Sequence, residues 1–251
     1  MDNNNNQVQI IERFRQVKKL GFVKSNRRNN TGIGKTFEDY IGVVENNSDK
    51  PDLFGYEIKS HREETASYIT LFTKSPNFPP RANTYLKDTF GTPNEKDPTL
   101  KKLHTSIFAS RYNTYSSTYS FKLINNKQDK TIKIGVYDIN TKQLIDNSVG
   151  YTYACIEKIL KRKLQNLFYV SAERKLENGS EYFFFNKAEI YSNPTLDKFL
   201  SLLDSGLIMY DIRIGSYQSG NNYGKPHDHG SGFRILESNL KLLFAEHIYI
   251  Q

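Results

Sequence analysis

The chain has no tryptophan, two methionines and one cysteine in 251 residues. A single thiol closes no internal disulfide, so the fold must stand on packing. Cys155 lies in an apolar helical pattern and reads as a packed thiol rather than a nucleophile. No run of about 18 apolar residues exists, so no membrane-spanning helix is expected. The first ten residues, MDNNNNQVQI, show no basic start followed by an apolar stretch, so no secretory signal is expected and a cytoplasmic setting is. There is no internal repeat and no clear linker. Acid is the scarcer sign: 27 Asp and Glu against 35 Lys and Arg leave a formal charge of +8 and a pI near 9.3. Nucleic acid is the natural partner for that excess. Eight of the cations fall in residues 1–35, against Asp2 and Glu12. Hydrophobic content is low at 37%, but 17 tyrosines and 16 phenylalanines supply buried area. The length allows one large domain, or two lobes around one cleft.

Periodicity predicts a mixed order of elements. The first six residues are expected to be disordered. Ile10, Ile11, Phe14, Val17 and Leu20 then recur at helical spacing, with Gly21 as the stop. A basic loop, KSNRRNNTGIGK, leads to a second helix from about Thr36 to Val44. A strand is expected through Phe54, Tyr56 and Ile58, and another at SYITLFT. Residues 74–117 are polar, proline-bearing and irregular, too long for a plain connection. YSFKLI and TIKIGVYD read as a hairpin, CIEKILKRKL and TLDKFLSLLDSG as helices, and LFYVSAE, EYFFFN and LIMYDIRIG as strands. A Gly-, Ser- and His-rich loop covers 215–232. A strand at FRI, a helix at SNLKLLFA and a strand at HIYI follow. Without regular alternation, the class is α/β or mixed α+β around a mixed central sheet.

The densest chemistry lies in PDLFGYEIKS, residues 51–60. Side chains two apart on a strand share a face, so Glu57 and Lys59 point the same way, with Asp52 at the strand's entrance. Two carboxylates and an ammonium suit metal-assisted cleavage of a phosphodiester. A hard cation such as Mg2+ takes oxygen ligands, and Asp52, Glu57 and the Ile58 carbonyl form a candidate set. Lys59 is placed to orient an attacking water. The bland alternative is a solvated polar strand face. Gly34-Lys35-Thr36 lacks the earlier glycine of a phosphate-binding loop, since Asn29 stands there. It reads better as a turn entering a helix, with Lys35 and Arg28 near a DNA phosphate and Glu38 projecting towards the carboxylates. His227-Asp228-His229 could ligate a transition metal, but suits base-edge contacts better, with Arg213 and Arg234 nearby. Asp211 and Arg213 share a strand face, and an ion pair is their plain reading. Lys74, Arg81 and the tyrosine-rich 111–119 stretch suggest backbone contacts.

Six blocks taken together, NTGIGKTFEDY, PDLFGYEIKSH, TLFTKSP, IDNSV, SAERKLEN and DIRIGSYQSG through KPHDHGSGFRI, resemble the MvaI/BcnI family of type II restriction endonucleases. That family is related to the MutH repair nickase, and the likeness lies nearer its MvaI side. The resemblance implies a PD-(D/E)XK nuclease core, MutH-like, in which a two-lobed monomer spanning 1–251 clamps a duplex. It implies Mg2+ dependence, with Asp52, Glu57 and Lys59 as the catalytic cluster and Glu38 as a supporting acid, within 36–75. It maps Asp211, Arg213, Tyr217, His227, Asp228, His229 and Arg234 onto a DNA-recognition region, 211–235. Its implied substrate is double-stranded DNA at CC(A/T)GG, with a cytosine DNA methyltransferase as functional partner and no membrane. A partner-activated nickase and a non-catalytic DNA-binding module are the alternatives.

Overall fold

The computed structural model of the chain describes residues 3–29, 31–43, 50–63 and 67–250. Helix α1 (Asn3–Lys19) leads to strand β1 (Val23–Lys24), helix α2 (Gly32–Ile41) and strands β2 (Glu57–Arg62) and β3 (Tyr68–Thr73). Helix α3 (Ala82–Phe90), the short β4 (Thr92–Pro93) and β5 (Lys101–Ile107) follow, then β6 (Tyr119–Asn126), β7 (Thr131–Asp138) and β8 (Leu144–Thr152). Helix α4 (Tyr153–Lys163) precedes the two longest strands, β9 (Asn166–Glu177) and β10 (Ser180–Pro194). Helix α5 (Leu196–Asp204), β11 (Ile208–Ser216), β12 (Pro226–Asp228), β13 (Gly232–Leu236) and β14 (Phe244–Ile250) close the order. Two compact units result. One takes the described residues of 1–67, 159–195 and 241–251, the other those of 68–158 and 196–240.

The first unit is a five-stranded sheet in the order β1-β10-β9-β2, with β14 paired to the far part of β10. Strands β9 and β10 form a hairpin turned by Asn178 (φ 49°) and Gly179 (φ 72°). Asn-Gly adopts the left-handed conformation both turn positions require, which matches the twist of the strands. Strand β2 runs parallel to β9 while the other pairs are antiparallel, so the sheet is mixed, as expected. One face is covered by helices. Ile10, Phe14 and Val17 of α1 and Ile33 and Phe37 of α2 pack in one cluster with Ile58, Phe168, Val170, Phe183 and Phe185. Burying such side chains stabilises the fold by roughly 1.5–3 kcal/mol each before entropy is counted. Strand alternation decides the site: Ile58 enters this core, so Glu57 and Lys59 fall on the opposite face.

The second unit holds an antiparallel sheet, β3-β13-β11-β5-β4, with β12 paired to the end of β11, and a separate meander of β6, β7 and β8. Its core takes aromatic rings in place of tryptophan. Phe233 contacts Phe72, Phe199, Tyr151 and Tyr210 at ring-centroid distances of 5.1–5.4 Å. Edge-on and tilted rings of this kind add favourable quadrupole contacts to their buried area.

Several expectations need correction. The asparagines from Asn3 onward are helical, not disordered, because α1 is held by its later buried turns. Leu20 lies past that helix and is exposed. Helix α2 starts at Gly32, so Lys35 lies within it; the expected end at Val44 is outside the described residues. The irregular segment 74–117 contains α3 and β5, and the glycine-rich loop contains β12. Residues 144–152, for which no element was expected, form β8, and Glu237–Leu242 is a 3-10 turn rather than an α-helix.

Candidate active site

Asp52 reaches Glu57 through a tight reversal rather than along one strand. Leu53 and Tyr56 exchange two backbone hydrogen bonds, of 3.1 and 2.8 Å, around Phe54 (φ 50°) and Gly55 (φ 82°). The alternation read through Phe54 and Tyr56 is therefore a turn, and the strand begins at Glu57. Gly55 takes its left-handed conformation without penalty, whereas Phe54 is strained there. The reversal lets the Ile58 N–H donate to Asp52 Oδ2 at 2.8 Å, a charge-assisted bond that fixes the carboxylate beside the strand.

Glu57 is 2% exposed. Lys59 Nζ donates to its Oε1 at 2.5 Å, and Lys163 Nζ stands 3.7 Å from the same oxygen. Its Oε2 is buried with no hydrogen-bond partner among the described residues. Burial pushes the Glu57 carboxyl above the usual glutamate range; Lys59 opposes this, Asp52 adds to it and Lys163 opposes it again. An acid so placed holds its charge at a cost, and a cation at the unpartnered oxygen would relieve it. Among the described residues no three His, Cys, Asp or Glu side chains converge. The donor set is thus two carboxylates with main-chain oxygen and solvent, which fits a hard cation that keeps several waters.

A cleft of about 320 Å³ adjoins this cluster, lined among others by Glu38, Ile58, Lys59, Lys35 and Arg27. Glu38 of α2 and Lys59 of β2 therefore line the same cleft. Lys35 pairs with Asp39 one turn on, at 2.8 Å, and holds that carboxyl below its ordinary value.

The second unit gathers most of the other candidates. Asp211 on β11 is 5% exposed. Its Oδ2 meets Arg213 Nε at 2.6 Å and Arg234 Nε at 2.9 Å, and its Oδ1 accepts from Ser106 Oγ at 3.2 Å. The expected ion pair thus has a second arginine. Arg213 is 46% exposed against 14% for Arg234, whose guanidinium burial pushes down and Asp211 pulls up. Tyr217 stacks on His227 at 4.1 Å, His227 lies 4.0 Å from His229, and His104 meets His229 edge-on at 5.9 Å. Burial first, then the neighbouring imidazole, lowers the pKa of His104 and of His229, so both favour the neutral form. Asp228 faces inward. Its Oδ1 accepts from the Gly230 and Ser231 N–H groups at 3.0 and 2.7 Å, and its Oδ2 from Asn83 Nδ2 at 2.7 Å. Lys74 is exposed at the end of β3, its N–H bonded to the Ser231 carbonyl. Arg81 is exposed at the start of α3 with φ 57°.

Sequence reasoning missed Lys163 and His104. Lys163 ends the basic run Lys161-Arg162-Lys163 of α4, a visible signal of unassigned purpose. His104 was hidden in a segment read as irregular.

The family model of the MvaI/BcnI restriction endonucleases matches residues 11–244. The chain belongs to the MvaI/BcnI restriction endonuclease family. Membership makes it a site-specific deoxyribonuclease of the type II class, in a family that is typically metal-dependent. A solved structure described as a complex of the restriction endonuclease MvaI with cognate DNA substrate has a TM-score of 0.89 and 35% identity, covering all of both chains. MvaI in the absence of DNA has a TM-score of 0.66 and 36% identity, covering all of this chain and 99% of the other. No curated protein matches the chain. The mixed α+β architecture is that of MvaI. Among the described residues no helix is long and apolar enough to cross a membrane.

Proposed function

We propose that this MvaI/BcnI-family enzyme is a Mg2+-dependent monomer that cuts duplex DNA at CC(A/T)GG, one strand per binding event, leaving 5′-phosphates. A cytosine methyltransferase would protect the host's own sites. The observation that carries the chemistry is Glu57, a buried carboxylate with one unpartnered oxygen, placed beside Asp52 and flanked by Lys59 and Lys163. The site assignment rests on the likeness to MvaI along the whole chain.

Asp52 and Glu57, with the Ile58 carbonyl, would hold the cation. When bound, Mg2+ supplies Lewis acidity to the scissile phosphate and acidity to a coordinated water. Lys59 orients the attacking water and stabilises negative charge that develops on the phosphate oxygens. Water oxygen joins phosphorus as the bond to the 3′-oxygen breaks, and the departing oxygen takes up a proton. Glu38 supports the cluster from α2. In the other unit, Arg213 and Arg234 offer paired donors suited to guanine, held in register by Asp211. A neutral imidazole such as His229 offers one donor and one acceptor to a base edge, and Tyr217 keeps the neighbouring His227 ring flat. Lys35, Lys74 and Arg81 serve phosphates. Asp228 acts through the loop it ties down. An odd-length site with a central A·T pair has unequal halves, so a monomer reads each strand in a separate encounter.

The test is purified protein on unmethylated supercoiled plasmid with Mg2+, followed by sequencing of the ends. Fragments ending within CC(A/T)GG, preceded by a nicked intermediate, are expected. Discrete ends elsewhere would overturn the assigned site and keep the chemistry. Cutting only with an added partner protein would replace the restriction reading with a repair nickase.

A further inference from the structure

The first unit carries a second, larger cleft of about 870 Å³ that the catalytic cluster does not use. Lys24, Arg27, Arg28, Arg62 and Arg174 line it, and among the described residues they face a single acid, Glu181. That acid is spent on shaping the wall. Its Oε1 receives Arg174 Nε at 2.6 Å and Arg62 Nη2 at 3.1 Å, while the Glu181 side chain is only 14% exposed beneath them. Two guanidiniums held by one carboxylate leave a net positive wall whose side chains are already ordered.

The opposite wall is equally fixed. Strand β1 pairs with β10 at Val23 and Lys24, and the Ser25 N–H donates to the Glu181 carbonyl at 2.8 Å. Ser25 Oγ donates to the Arg27 carbonyl, and the Asn26 N–H donates to Thr36 Oγ1 of α2 at 2.9 Å. The basic loop is therefore tied both to the sheet and to the helix that carries Glu38. Arg27 lines this cleft and also the active-site cleft, so the two adjoin at that residue.

We propose that this cleft is a subsite for the sugar-phosphate backbone of duplex DNA beyond the recognition sequence. The proposal rests on the nuclease reading and extends it. A concave wall of five cations, two of them ordered by Glu181, in which Leu176 is the one large apolar side chain among the described lining residues, favours repeated phosphates over bases or an apolar partner. Its contribution is to affinity and alignment, independent of sequence.

The experiment compares wild type with Lys24→Ala/Arg174→Ala, and with Lys24→Ala alone as the milder variant. Binding is measured without divalent metal over a salt series. The duplexes carry the site with short ends, or the same site extended by a helical turn on each side. Wild type should bind the extended duplex at least about tenfold more tightly at low salt. The double variant should lose most of that gain and match wild type on the short duplex. Its log-log salt slope on the extended duplex should be smaller by about two, one unit per lost phosphate contact. Equal loss on both lengths, or none on either, would overturn the subsite. If wild type cuts no duplex yet the slope difference persists, the nuclease reading falls and the cleft stands. Normal cutting with an unchanged slope refutes the cleft alone.

Discussion

Asp228→Ala separates a loop-holding role from a base-reading one. The carboxylate accepts two main-chain N–H groups, from Gly230 and Ser231, and the side-chain amide of Asn83. Asn83 is 3% exposed, and its Oδ1 accepts from Tyr210 at 3.2 Å, so without Asp228 its amide keeps only the longer bond to Ser75 Oγ at 3.4 Å. Alanine removes the acceptor of four donors, two of them on the main chain and one the Ser75 hydroxyl at 3.5 Å. Hydrogen bonds to a charged group contribute about 1.5–3 kcal/mol each, but water reaches the loop donors and recovers part of that. We expect a net loss of roughly 3–5 kcal/mol, seen as a fall in Tm of about 6–20 °C for a chain of this size. The Asp228→Asn substitution keeps an acceptor for the loop but sets an amide against the Asn83 amide, and should lose about half as much. Thermal melting and competition binding against a mismatched site measure both effects. Site discrimination should fall for both variants in proportion to stability. An Asp228→Ala protein with wild-type Tm and relaxed specificity would refute the reasoning and make Asp228 a direct reader of bases.

Lys59→Ala and Asp52→Ala should each reduce cleavage at least about a thousandfold, the scale of losing a transition-state contact, while specific binding measured by gel shift survives; near-normal cutting by either variant would refute the cluster. Glu57→Gln should melt at a higher temperature than wild type in metal-free buffer at neutral pH, although it does not cut. The sign follows from burial: the Glu57 carboxyl is raised in the fold, so its stabilising protonated form is lost as pH rises through that raised value, and neutral glutamine removes the dependence. An unchanged or lower Tm would mean that the two lysines outweigh burial. His104 and His229 are depressed, so the stability they confer is full above the ordinary histidine value and lost as pH falls towards their folded values. Specific binding should weaken over that window, and NMR titration should find both rings protonating below the usual range.

Much of the architecture could be read from residue patterns, and the failures share a physical cause. Helix α1 and strands β9 and β10 were plain because Ile10, Phe14 and Val17, or Phe183 and Phe185, repeat at the period of one buried face. Glu57 and Lys59 were correctly paired for the same reason, since Ile58 between them enters the core. Phe54 misled because an aromatic residue at an alternating position imitates a strand, while its backbone sits in a reversal fixed by partners on either side. Helix α3 was missed because it buries Asn83 and Lys87, whose polar atoms are satisfied only in three dimensions, Lys87 by Ser216 and Asp88. Strand β12 was missed because its edge pairing with β11 needs three residues and leaves no period to detect. Lys163 reaches Glu57 from more than a hundred residues along the chain, and no local spacing announces that contact.

The chain passes from one compact unit to the other four times. Neither unit is a contiguous stretch that a single recombination event could lift out. A lineage built this way cannot acquire a new target by exchanging a specificity cassette, as a modular enzyme can. It must change target by point substitution or loop replacement within the strands already threaded through the nuclease. Engineering faces the same restriction: moving either unit onto a foreign protein would need new closures at several breaks in the polypeptide rather than one linker.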